Sequence, residues 1–188
     1  MALSKQINDF KTVFSGANAI YLKKGGFPAG TLTNLDFDWE IPVTVDSMTL
    51  SQSEPTINKV MVHGLQTPWV SISTPGEFSF KATVPSIDED FADWALGGST
   101  GALTAIPLNG SATDVFDGKS YAMEAIKLYA SIGIRSEDKN KLLVIKKMAI
   151  YATPTMDNLS QSPYAFTLTG TIEASDDTNR DDIIIFQK

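Results

Sequence analysis

The chain has 188 residues, 43% of them hydrophobic, no cysteine, and a formal net charge of -7 from 15 basic and 22 acidic side chains. That length sets a single domain as the prior and is enough to bury a core without covalent staples. The missing cysteines exclude disulfides, thiolate metal sites and a cysteine nucleophile, and the acidic balance speaks against a nucleic-acid binder, which carries a basic excess or stripe.

Met1 to Phe10 holds Lys5 and Asp9 and lacks the apolar stretch of a secretory signal. No run approaches the roughly 20 apolar residues that span a bilayer. Residues 1–18 read as a lead-in without a period. Ala19 to Lys23 is a short strand, and Gly25 to Trp39, with three glycines and Pro28, is a loop. Val43 to Leu50 is the next strand, broken by a bulge, and Gln52-Ser53-Glu54-Pro55 turns into a strand from Ile57 to His63. Pro68 to Ile72 is a short extended piece, turned at Thr74-Pro75-Gly76.

Two stretches then alternate almost without error. Phe78, Phe80, Ala82 and Val84 point one way, and Glu77, Ser79, Lys81 and Thr83 the other. Tyr164, Phe166, Leu168, Gly170, Ile172 and Ala174 alternate in the same way with Thr167, Thr169, Thr171, Glu173 and Ser175. A period of two means strands with one buried and one wet face. Pro85 ends the first of them. Ser86 with Glu89 has the spacing of a capping box, Asp88 and Asp90 suit the positive end of a helix, and Gly97-Gly98 stops it. These signals predict a helix at about 87–96 with Ile87, Phe91 and Trp94 on one face.

Residues 97–120 are small, polar and glycine-rich, which predicts a long loop. Ile126 to Ile134 alternate again, Ser136 to Asn140 turns, and Leu142 to Tyr151 returns as the second arm of a hairpin. The adjacent Lys146 and Lys147 break that alternation, so a bulge or an edge position is expected. Lys141, Lys146 and Lys147 are the nearest thing to a basic cluster and read as solvated or edge-protecting. Asp176 to Asp182 is a charged connection, and Ile183 to Phe186 closes the chain as a strand. The fold class is therefore mainly antiparallel β with one short helix, organised as one domain over 1–188.

Chemistry is sparse. His63 is the sole histidine, and no serine sits in a nucleophile-elbow sequence, so a triad lacks its context. Asp88-Glu89-Asp90 is explained by the helix start. The run from Asp176 to Asp182 could converge on calcium but lacks the EF-hand glycine and spacing, so it reads as a solvated loop. Gly97-Gly98-Ser99-Thr100-Gly101 follows a helix and has no closing Gly-Lys-Ser/Thr, so it is no phosphate loop. Asn109-Gly110-Ser111 and Asn158-Leu159-Ser160 match the glycosylation pattern, which matters only on secretion. Trp39, Trp69 and Trp94 read as packing residues before a sugar platform. No catalytic, cofactor-binding or metal residue is assigned, and no cofactor.

The strand Glu77-Phe78-Ser79-Phe80-Lys81-Ala82-Thr83-Val84, followed by Pro85-Ser86-Ile87-Asp88-Glu89-Asp90 and a short helix, resembles the major tail tube proteins of long-tailed bacteriophages and prophages. The threonine-rich strand Phe166 to Ile172 is similar to that family's C-terminal region. The likeness covers about 77–97 and 164–186. It implies an antiparallel β-sandwich or half-open barrel with one flanking helix. It also implies a structural virion protein whose homo-hexameric rings stack into a tail tube for DNA passage. Partners are then the chain itself and other tail proteins, with DNA a non-specific passenger and no membrane. The location is the virion tail, assembled in the bacterial host cytoplasm, and the family brings no catalytic residues. An acidic lumen lets DNA slide without sticking, which suits the net charge. The hairpin from Ile126 to Tyr151 is then the expected tube wall, with Ser131 and Lys127 on its inner face and an open edge. The loop at 97–120 would meet the next ring. Two alternatives stay open: a bacterial cell-surface or adhesion β-sandwich that binds a protein or glycan, and an enzyme on a β scaffold.

Overall fold

The structure is a computed structural model and describes the chain apart from residues 1–13, 15, 29, 31, 45, 65, 87, 123, 125, 157–163 and 175–181. The chain is mainly β, its strands pair antiparallel wherever a register is defined, and no sheet closes into a barrel. The chain groups into two compact units. One comprises Met1–Pro42, Tyr129–Met148 and Glu173–Lys188, and the other Val43–Leu128 and Ala149–Ile172. Among the described residues no helix is long and apolar enough to cross a membrane.

The first unit is built on β1 (Ala19–Lys24), β2 (Trp39–Ile41), β9 (Leu128–Arg135), the Lys141–Met148 part of β10 (Lys141–Thr155), and β12 (Ile183–Gln187). Their order is β2-β1-β9-β10, with β12 also on β10. Ile20 lies between Ile41 and Ile134, and Leu22 opposite Ile132, so one face is a continuous aliphatic layer. The opposite face is covered by the segment after β1. There Phe37 packs on Tyr21 and Phe27, with ring centroids 5.4 and 5.3 Å apart. Gly133 lies under the Phe37 ring, and a Cβ there would sit 2.6 Å from Cζ. Ser131 is fully buried. Its hydroxyl accepts from the Phe27 amide at 2.8 Å and donates to the Lys146 carbonyl.

The second unit holds β3 (Thr49–Gln52), β4 (Thr56–Val60), β5 (Val70–Thr74), β6 (Phe78–Val84), α1 (Glu89–Ala95), β7 (Ser99–Pro107), β8 (Val115–Tyr121) and β11 (Ala165–Ile172). The Ala149–Thr155 part of β10 also belongs to it. One sheet runs β10-β11-β6-β3, while β4-β5 and β7-β8 are separate two-stranded hairpins. The alternation read in the sequence sets the register: Phe166 faces Val84, Leu168 faces Ala82, and Gly170 faces Phe80. Phe80, Val84, Phe91, Phe166 and Leu168 are buried together, and the Phe91 and Phe166 rings meet edge to face at 5.7 Å. Phe78, Trp94 and Ile172, expected in the same core, are half-buried at its margin.

Several expectations change. The stretch at 97–120 is not a loop but the β7-β8 hairpin, joined by a short 3-10 turn at Leu108–Gly110. Its pattern was illegible because the register shifts between Ser99 and Gly101 and again between Leu103 and Ile106, which flips the alternation mid-strand. The hairpin from Ile126 to Tyr151 exists as β9 and β10, but among the described residues the edges of its β9 arm and of Lys141–Ile145 are occupied. Strand β9 is flanked by β1 and β10, and β10 by β9 and β12. Ser131 and Lys146 are buried there, so no polar inner face is free; the Lys146 ammonium donates to the Gly30 carbonyl at 3.1 Å. Lys127 lies exposed just before β9. The expected Val43–Leu50 strand is the shorter, later β3. The helix begins two residues later than predicted, and its N-cap is Asp88, whose carboxylate accepts from the Phe91 amide at 3.0 Å. Ser86 instead accepts from the Asp88 amide at 3.1 Å, so the capping box with Glu89 does not form. Gly97 and Gly98, at φ 77 and 100, end the helix as expected.

Replacing Phe80 or Phe166 by Ala is expected to cost roughly 3–5 kcal/mol, read as a lower melting temperature. Asp88→Ala is expected to cost roughly 0.5–2 kcal/mol through the lost cap. A Ser86→Ala variant that loses more than Asp88→Ala would contradict the assigned cap.

Candidate assembly surface

The residues singled out for chemistry do not converge. His63 lies exposed in the turn after β4. Among the described residues no group of three or more His, Asp or Glu is placed to hold a metal ion. The run from Asp176 to Asp182 falls outside the described residues apart from Asp182, and so do the Asn158-Leu159-Ser160 sequon and Ile87. Asn109 is in the turn of the β7-β8 hairpin, at φ 50. Trp39 belongs to β2 and lies under the Lys24 ammonium, 4.1 Å from its ring centroid. Trp94 packs on Phe91, with centroids 5.7 Å apart.

What the structure does bring together is apolar surface on the two hairpins. In β4-β5, Thr56 pairs with Thr74, Asn58 with Ile72, and Val60 with Val70. Partners share a face, so Val60, Val70 and Ile72 point one way. Ile57 points the other, as does Trp69, which precedes Val70 and is 67% exposed. Ile57, Val60, Val70 and Ile72 are exposed as well. Each face therefore mixes apolar with polar side chains, Thr56, Asn58 and Thr74 beside the first set and Lys59, Ser71 and Ser73 beside the second, and the apolar ones are exposed on both. An isolated two-stranded hairpin is marginal in water, and scattered exposed apolar residues are ordinary whereas a contiguous set marks an interface.

The β7-β8 hairpin is one-sided. Lys119 lies on the face toward α1 and places its ammonium 2.6 Å from Asp93 Oδ2 and 2.6 Å from Glu89 Oε1. The Tyr121 hydroxyl donates to Asp93 Oδ1 at 2.8 Å. The same strand therefore sends two donors to one carboxylate of the helix. A cavity of about 680 Å³ lies beside this contact, lined by Ala92, Leu96, Leu103 and Tyr164 among others. The opposite face carries Ile106 and Phe116, which pair with each other, while Leu103 lies at the edge of the cavity. All three are about half exposed or more, Phe116 at 56%. Glu89 and Asp93 hold the Lys119 ammonium well above the usual lysine range, the hydrogen bond to Asp93 being the larger cause. Burial pushes the Tyr121 phenol up, and its hydrogen bond to Asp93 adds to that. Sequence reasoning missed this surface because it read 97–120 as a loop; the clue was the recurrence of large apolar residues at Leu103, Ile106, Leu108 and Phe116.

Asp93→Ala is expected to speed hydrogen exchange of the β8 amides at neutral pH. A raised lysine contributes fully below its ordinary value of about 10.4 and loses the contribution only as pH rises through the higher folded value. Protection of β8 should therefore stay level up to about pH 10 and fall beyond it. Equal exchange in wild type and Asp93→Ala would remove the contact from the account of this hairpin.

No protein-family model matches the sequence, and no curated protein matches it. Among solved structures, the chain is similar to one of an extracellular contractile injection system, the PVC sheath-tube complex in its extended state. That match has 10% identity and a TM-score of 0.41, and it covers 98% of this chain and 100% of the other. It is also similar to the anti-feeding prophage cap, the AFP tube-terminating cap, at 9% identity and a TM-score of 0.40, covering 100% of this chain and 95% of that one. At these identities and scores the roles of those assemblies do not transfer, and the case for function rests on the side chains of this chain.

Proposed function

We propose that this chain is a structural subunit that self-associates into rings stacked as a phage or prophage-derived tail tube. The observation that carries the reading is the β4-β5 hairpin, which exposes large apolar side chains on both faces: Val60, Val70 and Ile72 on one, Ile57 and Trp69 on the other. Such a hairpin is stabilised by being sandwiched in an assembly, since burying apolar area gains about 25 cal/mol per Å². The half-exposed outer face of β7-β8 adds a second contact. Strands β3 and β12 each pair with one strand only among the described residues, leaving edges for a neighbouring copy. A scaffold, not a catalyst, is what side chains without a convergent reactive set support. The net charge of -7 favours a lumen through which DNA passes without adhering. In this reading the rings are homo-hexamers, other tail proteins are partners, and assembly takes place in the bacterial host cytoplasm. The tube wall in this reading is not the β9-β10 hairpin, where β1 covers the outer side of β9 and β12 pairs with Lys141–Ile145 of β10.

The cell-surface alternative draws on Trp69 alone, since an exposed indole also suits a glycan face. Sedimentation at rising concentration, with negative-stain imaging, decides between them. Wild type is expected to associate and to show rings or tubes. Trp69→Ser combined with Ile72→Ser is expected to stay monomeric with an unchanged melting temperature. A wild-type protein that remains a strict monomer at high concentration overturns the proposal.

A further inference from the structure

The first unit carries a cationic, aromatic-walled socket. Its walls are Tyr21, Phe37 and Phe186, its rim is Arg135, Lys139 and Lys141, and the cavity between them is about 390 Å³. Three cations on one short stretch are unusual in a chain with 22 acidic and 15 basic residues. The same turn also holds Glu137, which is exposed, and Asp138, so three cations face two acids and the stretch is net +1; Asp138 is engaged within the turn itself. It accepts from the Ser136 hydroxyl and from the Asn140 amide, the latter at 3.1 Å. Those bonds, the Ser136 hydroxyl first, hold its carboxyl below the usual range.

The tip of the β7-β8 hairpin has the opposite character. Residues 97–118 contain no Lys or Arg, and Asp114 and Asp117 flank Val115 and Phe116. Leu108, Val115 and Phe116 are exposed there, and the Leu108 amide donates to the Asp114 carbonyl at 2.8 Å, which closes the turn. The Asp117 carboxylate is used inside the hairpin, accepting from the Ala105 amide at 2.7 Å; Asp114 is left at the tip.

We propose that the β7-β8 tip of one copy docks in the Arg135-Lys139-Lys141 socket of another, with Phe116 against the aromatic walls and Asp114 against the cationic rim. This rests on the self-association reading above and names one of its contacts. Tip and socket are different surfaces, so the contact is head-to-tail: each copy offers one of each, and repetition gives a ring if the rotation closes and a filament if it does not. Opposite charge at the rim sets orientation and speeds encounter, while the buried aromatic holds the contact.

The test compares three proteins by sedimentation velocity: wild type, a tip variant (Asp114→Lys with Phe116→Ala) and a socket variant (Arg135→Glu with Lys139→Glu). Melting temperatures check folding, and Asp114→Lys alone replaces the tip variant if that one unfolds. Each variant alone is expected to form smaller species than wild type, the β4-β5 contact being untouched. An equimolar mixture is expected to regain a species with one added tip-socket contact, because the socket variant keeps its tip and the tip variant keeps its socket. Higher salt should weaken that species. Variants that associate as wild type does overturn the tip-socket contact and leave the self-association reading standing. A mixture that forms nothing larger than either variant alone also overturns it, the socket then serving a small anion or a different protein. Monomeric wild type overturns both.

Discussion

Backbone pairing along β10 is the constraint on which both units depend. This strand is fifteen residues long and contributes Lys141–Met148 to one unit and Ala149–Thr155 to the other. Its first part has β9 and β12 as neighbours, and its second part has β11. Buried backbone groups must find partners, and here the close approach demands glycine on each side. In the first unit a Cβ on Gly26, at φ 84, would lie 3.0 Å from the Lys146 carbonyl oxygen. In the second, a Cβ on Gly170 would lie 2.6 Å from the Ala149 carbonyl oxygen. At Gly170 a side chain would force a shift, and at Gly26 the contact would be tight and the positive φ strained. Lys146 shows the same constraint from the side-chain end: its ammonium is buried, and the Gly30 carbonyl accepts a hydrogen bond from it.

The Lys141–Met148 part of β10 has a strand on each side, so in the proposed assembly the free strand edges belong to other strands. The two hairpins differ in how they are supported. The β7-β8 hairpin is tied to α1 by Lys119 and Tyr121 through Asp93 and Glu89, so one face is anchored and the other is presented. The β4-β5 hairpin has its own ladder and exposed apolar side chains on both faces. An anchored hairpin suits a contact whose geometry is set before association. A hairpin bare on two faces suits burial between surfaces that exist only after it.

Much of the fold was legible in the sequence where the period was clean. Phe78 to Val84 and Phe166 to Ile172 alternate strictly, and their register follows directly. The stop at Gly97-Gly98 was legible because glycine alone takes those φ values cheaply. The N-cap was misplaced by two residues because Ser86 and Asp88 are both good caps, and only the path of the chain after Pro85 selects between them. The β7-β8 hairpin was hidden by its bulges: the apolar alternation breaks at Thr104-Ala105, where Ala105 adopts φ 53 and the phase changes. Likewise no local pattern could say that Ser131 and Lys146 are interior, since each is buried by a segment far away in sequence: Ser131 by Phe27, Lys146 by Gly30. The candidate surface was legible only as composition, apolar residues that no element of the same chain covers, because an interface between copies leaves no contact inside one chain.

Charge then limits how copies can meet. A net charge of -7 makes any two copies repel at long range, and apolar contact is non-directional. Association therefore needs a local reversal of sign at the point of approach, and the turn between β9 and β10 supplies one with Arg135, Lys139 and Lys141. An acidic tip that carries an aromatic residue is attracted there and nowhere that the surface is uniformly acidic. Hydrophobic area gives such an assembly its stability, while the few cations decide which surface meets which. In the proposed assembly the same division would let an acidic subunit hold its neighbours and still repel a polyanion elsewhere.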